Sequence, residues 1–155
     1  MNQKIIAHRE AGHAVADIAQ ELRIKKISII PDGRSSGRVE RYKSSRAFRE
    51  FGNSPTWWDL ERRHKDRFEK EVRSLLAGRA AQRRFAPRSV RAAQTLNGHE
   101  GDLYEVHDWL SRISTSDRES SAYLKLFEIQ TEWLLNRFWT SVEAIADARE
   151  RNVDR

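Results

Sequence analysis

Cysteine is absent from the 155-residue sequence. This absence excludes a disulfide framework, a cysteine-based zinc site and a thiol nucleophile. The sequence also has no uncharged apolar run close to the roughly 20 residues that a membrane-spanning helix needs, and its opening segment lacks the apolar core of a signal peptide. We therefore expect a cytoplasmic protein with no membrane span in this chain.

Basic residues outnumber acidic ones, and the formal net charge is +6. Acidic residues interrupt most of the basic clusters, as in RRHKDRFEKEVR, so that Glu and Asp stand three or four positions from Lys and Arg. This spacing is typical of solvated helix faces that carry internal ion pairs. A basic helical nucleic-acid-binding protein stays open as a functional hypothesis, ranked last because the sequence contains no recognised nucleic-acid-binding motif.

The hydrophobic pattern predicts a mainly α fold in one domain, residues 1–155. A first amphipathic helix is predicted over residues 3–22 from apolar residues at helical spacing: Ile6, Val15, Ile18, Ala19 and Leu22. The period then changes, because a β-rich run from Ile27 to Ile30 is closed by a Pro-Asp-Gly turn and a second segment begins after Gly37. We expect a small β element there, either a hairpin or a strand with a long turn.

Helical periodicity returns in the second half of the chain. It predicts a helix over residues 59–85, a loop in APRSVRAAQTLNGHEG, a helix from about residue 102, and one long or broken helix over residues 117–152. The buried side of this last segment is predicted to contain Leu124, Phe127, Ile129, Trp133, Leu134, Phe138, Val142 and Ile145.

The segment AHREAGHAVADIAQELR nearly matches the His-Glu-x-x-His motif of zinc peptidases. In that motif two histidines four residues apart point about 40° apart on a helix and share one metal ion, and the intervening glutamate deprotonates metal-bound water. Glu10 and His13 fit the pattern as general base and zinc ligand. Arg9 stands where the first histidine belongs, and its cationic guanidinium has no lone pair for a metal.

His8 offers a shifted first ligand. It lies five residues before His13, about 140° around an ideal helix, so the two rings point to different sides. A single π-bulge between them would bring His8 into line, and such bulges collect at functional sites. His8 is therefore a further candidate metal-ligating residue, beside His13.

Five segments follow one another in an order that is familiar from a known family: AHREAGHAVA, KKISIIPDGRSSGRV, EVRSLLAGRAAQRRF, NGHEGDLYEVHDWL and FWTSVEAIADARERN. They resemble the peptidase domain of the FtsH-type zinc metallopeptidases, the proteolytic part of membrane-anchored AAA+ proteases. The resemblance implies a zincin-like helical peptidase fold and hydrolysis of peptide bonds by metal-activated water. It also implies zinc as cofactor, with Asp102 as the aspartate ligand.

The sequence departs from this family in two ways. Arg9 replaces the first histidine ligand, and we expect neither the ATPase module nor the membrane anchor of the family in this chain. If the chain is an active metalloendopeptidase, its expected substrates are peptides, unfolded proteins or proteins delivered by a partner ATPase, and a homo-oligomer is a further expected assembly.

A non-catalytic alternative follows from Arg9. Its cation could occupy the place of the metal and pair with Asp102 or Glu10, in which case the domain is a pseudopeptidase. Zincins bind substrate backbone along an edge strand near the metal helix, and residues 27–31 or 37–42 could supply such an edge. A pseudopeptidase would keep this groove and bind peptides or a protein partner without cutting them.

Overall fold

The computed structural model describes residues 2–28, 38–41, 57–59, 62–93 and 100–153. This part of the chain is mainly helical, with one small antiparallel sheet. Its elements in chain order are α1 (Gln3–Ala19), β1 (Ile24–Ser28), β2 (Arg38–Arg41), a 3₁₀ turn (Trp57–Asp59), α2 (Arg62–Phe85), α3 (Pro87–Ala93), α4 (Glu100–Ile113), α5 (Asp117–Arg137) and α6 (Trp139–Val153). None of the helices in these ranges is long and apolar enough to cross a bilayer.

Helix α1 lies in the middle of the fold. The Asn2 side chain caps it by accepting a hydrogen bond from the backbone N–H of Lys4 at 2.9 Å. From Ile6 to Asp17 every side chain is buried, because α2 and α6 pack against the helix and the sheet packs against it as well. The predicted helix is thus confirmed, although it ends at Ala19 and leaves Ile18 exposed.

The small sheet follows α1 directly. Strands β1 and β2 are antiparallel, with Ile27 opposite Val39 and a bulge between Ile24 and Lys26. The predicted β element is confirmed over these residues, and β1 begins three residues earlier than the β-rich run suggested, at Ile24. The predicted turn, residues 31–33, lies outside the described residues.

Two hydrophobic clusters share α2. The first lies between α1, α2, α5 and α6 and is rich in alanine, so the helices approach closely: Ile6, Ala7, Ala11, Val15, Ala16, Ala77, Ala81, Leu135, Val142 and Ala146. The second joins α2 to α4 and α5 and contains larger side chains: Phe68, Val72, Leu75, Leu76, Val106, Leu110, Ile113 and Phe127. Since α2 contributes to both clusters, it connects the two halves of the core.

One expectation for the later helices is wrong. The stretch APRSVRAAQTLNGHEG is predicted as a loop, but Pro87–Ala93 forms α3, since proline suits the first turn of a helix, where no backbone N–H is needed. The C-terminal segment, predicted as one long or broken helix, has the broken form: two helices that are separated at Phe138.

The predicted buried side of the C-terminal segment is partly wrong. Phe127 and Val142 are buried as expected, whereas Ile129 is 52% exposed and Trp133 is 60% exposed. A helix of 21 residues contacts its neighbours along one face only, and these two side chains lie on the opposite face of α5.

Candidate functional site

Helices α1 and α2 cross where two glycines remove side-chain bulk. A Cβ atom on Gly12 would lie 2.8 Å from the carbonyl oxygen of Ala77, and a Cβ atom on Gly78 would overlap the ring of His13. Both glycines therefore allow a close approach that alanine would block. The crossing joins the segment EAGHA of α1 to the segment LAGRAAQ of α2, and it fixes where the His13 ring lies.

Each ring nitrogen of His13 has a specific neighbour. Nδ1 lies 2.7 Å from the backbone carbonyl of Ser74, which can only accept, so Nδ1 donates. Nε2 faces Oδ2 of Asp102 at 3.4 Å. A histidine held by a carbonyl at Nδ1 with Nε2 directed into a site has the orientation that metal-ligating histidines commonly show.

Asp102 comes from the first turn of α4, about ninety residues away in sequence. Its side chain is 32% exposed, whereas the side chains that it faces are almost fully buried. The carboxylate of Asp102 therefore forms the solvent-facing side of an otherwise enclosed polar cluster.

Arg9 supplies a cation to the same place. Its Nη2 lies 3.9 Å from Oδ2 of Asp102, and its Nε lies 3.6 Å from Oε1 of Glu10. Glu10 is only 1% exposed. We call these four residues (Arg9, Glu10, His13 and Asp102) the Arg9 cluster.

The surroundings shift two pKa values in the Arg9 cluster upwards. Burial raises the pKa of Glu10, and the positive charges of His13 and Arg9 oppose this only in part. Burial alone would lower the pKa of His13, but the hydrogen bond and charge of Asp102, together with the charge of Glu10, outweigh it and raise the pKa. The surroundings therefore favour the protonated form of His13 more than water does.

His8 does not join the Arg9 cluster. Its ring stacks on Phe85 with centroids 3.6 Å apart, and its Nδ1 lies 2.7 Å from the backbone carbonyl of Lys4. Trp139 flanks the same ring at 6.2 Å. Helix α1 is regular from Gln3 to Ala19, with no π-bulge that would turn His8 towards His13.

The residues of the cluster do not fit a zinc ion. A zinc-peptidase site needs three protein ligands, and here only His13 and Asp102 offer a suitable atom around a common point, with Glu10 left for the role of base. In the third position stands the Arg9 guanidinium, which repels a metal and has no lone pair. Within the described ranges, no group of three His, Asp or Glu side chains could hold a metal ion.

Two residues that shape this site are not among the sequence-predicted ones. Gly78 gives the His13 ring its space, and its only sequence signal is its place in the LAGRAAQ segment. Ser74 accepts from His13 through its carbonyl and donates through its hydroxyl to Asp17, in a fully buried contact. No sequence pattern predicts the contact of Ser74 with His13, because Ser74 makes it through its backbone carbonyl, a group that every residue has.

No protein-family model, curated protein or solved structure matches this chain. What the chain can do is therefore inferred from the chemistry of its own side chains.

Proposed function

We propose that this chain is a pseudopeptidase: a zincin-like domain of FtsH-peptidase type that binds peptides or a protein partner and does not hydrolyse them. The observation that carries the proposal is the position of Arg9, whose guanidinium lies next to Glu10 and Asp102. A fixed cation there occupies the place that the resemblance assigns to zinc. Without a metal to activate water, Glu10 has no water of lowered pKa to deprotonate.

The electrostatics of the cluster support this proposal. A zinc ion would bring two positive charges to a site that contains two carboxyl groups. Arg9 supplies a positive charge beside both carboxyl groups, and the raised pKa of His13 favours a second positive charge. Positive charge that a metal would supply thus comes from the side chains of the chain itself, and buried carboxyl groups need such partners.

Peptide binding is proposed along the small sheet. Each strand of the pair β1–β2 has one neighbour among the described residues, and the sheet packs on α1, the helix that carries three residues of the Arg9 cluster. An extended peptide can add to such an edge through main-chain hydrogen bonds. Of the proposed edges, residues 27–28 and 38–41 belong to the strands, while residues 29–31, 37 and 42 lie outside the described residues.

The first test is metal content after zinc addition and removal of excess metal, measured by elemental analysis. Wild type is expected to retain no stoichiometric zinc. Arg9→His is expected to bind about one zinc per chain, since it supplies the missing third ligand. Arg9→Met is the matched control, because it removes the cation without adding a ligand and should stay without zinc.

Activity is measured on an unfolded test protein with the same variants and with Glu10→Gln. No variant that retains Arg9 should cleave it. If wild type bound one zinc per chain and cleaved the test protein in a Glu10-dependent way, the chain would be an active metalloendopeptidase and the pseudopeptidase proposal would be lost.

Peptide binding is measured by fluorescence anisotropy with an extended, labelled peptide. A copy of this peptide with two N-methylated amides is the control, because it keeps the side chains and loses two main-chain donors. The two lost hydrogen bonds should weaken binding by about thirtyfold, at about 1 kcal/mol each. Equal binding of the two peptides would contradict strand addition.

A further inference from the structure

Helix α5 carries an exposed apolar stripe on the face opposite to the core. Its members are Ala122, Leu126, Ile129 and Trp133, and we call them the α5 stripe. Leu126 is 47% exposed, and the other two large side chains are exposed by more than half. Single exposed apolar side chains are ordinary, but a row of them along one helix indicates a contact surface.

The spacing of the α5 stripe is that of a coiled-coil seam. Its members are separated by four, three and four residues, which is the a/d pattern of a heptad repeat. The buried face of the same helix (Phe127, Thr131 and Leu135) is already used by the core. The fold therefore leaves a second, narrower apolar face that suits one further helix.

The α5 stripe is complementary to itself when two copies run antiparallel. In the heptad, Leu126 and Trp133 hold a positions, and Ala122 and Ile129 hold d positions. In an antiparallel pair each a position faces a d position of the partner, so Leu126 lies against the partner's Ile129 and Trp133 lies against the partner's Ala122. The smallest member then faces the largest, and the two middle members are similar in size. This is the pattern that interdigitating layers need, and it repeats on both sides of a two-fold axis.

Charges beside the stripe match in the same alignment. Lys125 and Glu132 lie on one flank of α5, seven residues apart, and both are exposed. In the antiparallel pair, Lys125 faces the partner's Glu132, and Glu132 faces the partner's Lys125. Within its own chain Glu132 also lies 3.6 Å from Arg83, which is compatible because a carboxylate accepts from several donors.

We propose that this protein forms a two-fold symmetric homodimer in which the α5 helices of two copies pack antiparallel through the α5 stripe. The proposal goes beyond the pseudopeptidase function and does not rest on it. Helix α5 is about 31 Å long, at 1.5 Å per residue. One helix pair is a small interface, so we expect a dissociation constant in the micromolar range.

The first test is sedimentation velocity on the full chain from about 1 μM to about 500 μM, a range that brackets micromolar affinity. Wild type should convert from monomer to dimer across this range. Ile129→Asp should raise the dissociation constant at least about 100-fold, because two carboxylates enter an apolar seam. Ile18→Asp, at a residue that is 55% exposed on α1, is the matched control and should leave dimerisation unchanged.

The second test uses charge reversal and mixing. Lys125→Glu alone and Glu132→Lys alone each place like charges opposite one another twice, and each should weaken the dimer by about tenfold. An equimolar mixture of the two variants should restore dimerisation, since the heterodimer has two matched pairs.

Rescue on mixing would also establish the direction of the helices. In a parallel pair Lys125 would face Gln130 and Glu132 would face Arg137, so that mixing could not restore matched charges. Wild type that stays monomeric at the highest concentration, a dimer insensitive to Ile129→Asp, or a mixture without rescue would each overturn the proposal. Circular dichroism of every variant checks that the fold is intact.

Discussion

At the scale of single residues, Arg9 determines the chemistry of the buried cluster. An arginine stays charged at every physiological pH, and this one lies beside two carboxyl groups in a largely buried place. Its neighbour Glu10 has a raised pKa because burial disfavours the carboxylate. The pKa of His13 is raised because Asp102, which lies in front of Nε2, outweighs the effect of burial. Under the pseudopeptidase proposal, the positive charge of Arg9 replaces the metal that zincins have at this place.

The pKa shifts of the Arg9 cluster predict how stability depends on pH. The folded state raises the pKa of His13 above its ordinary value of 6.5, so the folded protein holds this proton more tightly than the unfolded chain. The resulting stabilisation is complete below 6.5 and is lost as the pH rises through the folded-state pKa. Glu10 acts in the same direction above its ordinary value of 4.5, because its pKa is also raised. The free energy of unfolding should therefore fall as the pH rises above 6.5.

Urea unfolding at a series of pH values measures this slope. Asp102→Asn is the informative variant, because it removes the group that raises the pKa of His13 most, and the slope above 6.5 should flatten. A slope that is the same in both proteins would show that Asp102 does not raise the pKa of His13.

At the scale of elements, the crossing of α1 and α2 places the site. Gly12 carries no Cβ, so the backbone of α1 comes close to the backbone of α2 at Ala77, and the ring of His13 lies in the space above Gly78. The missing Cβ of Gly78 in α2 thus leaves the space that the His13 ring of α1 fills. The same crossing brings the Ser74 carbonyl to Nδ1 of His13.

Gly78→Ala should destabilise the protein by about 1–3 kcal/mol, because overpacking exceeds the gain in helix propensity of about 1 kcal/mol. Gly101→Ala is the control within the same chain, since a Cβ at that helical position meets no atom within 4 Å and should be neutral or stabilising. The measurement is the midpoint of urea unfolding, together with the pKa of His13 by NMR. An unchanged midpoint and His13 pKa in Gly78→Ala would contradict the close approach.

At the scale of the whole molecule, the two hydrophobic clusters are linked through α2. The first cluster surrounds α1, and the second holds α4 and with it Asp102. The site therefore depends on both clusters, because three members of the Arg9 cluster come from α1 and the fourth comes from α4. Helix α5 contacts both clusters with one face and leaves the α5 stripe exposed on the other.

We predict that the two clusters unfold together. Leu110→Ala in the second cluster and Leu135→Ala in the first should each cost about 2–5 kcal/mol, since both side chains are almost fully buried. Each variant should still show a single transition, with the same midpoint by tryptophan fluorescence and by far-ultraviolet circular dichroism. A second transition in either variant would indicate that the clusters are independent.

Local patterns in the sequence were sufficient for most of the elements and for part of the site. Helical periodicity predicted α1, α2 and α4 to within a few residues. Apolar residues must recur every three or four positions to form one buried face, whatever the helix packs on. Four-residue spacing likewise predicted that positions 9 and 13 share a face of α1, and the structure brings Arg9 and His13 to the same carboxylate. These inferences need only the geometry of one helix.

Long-range packing determined everything that depends on which elements meet. Only the fold brings Asp102 to His13, turns His8 away to Phe85, and seats His13 over Gly78. It also leaves Ile129 and Trp133 exposed, although their residue types are those of a core. The physical reason is that a periodic sequence specifies the apolar and polar faces of each helix, whereas contacts between distant segments determine which face is buried.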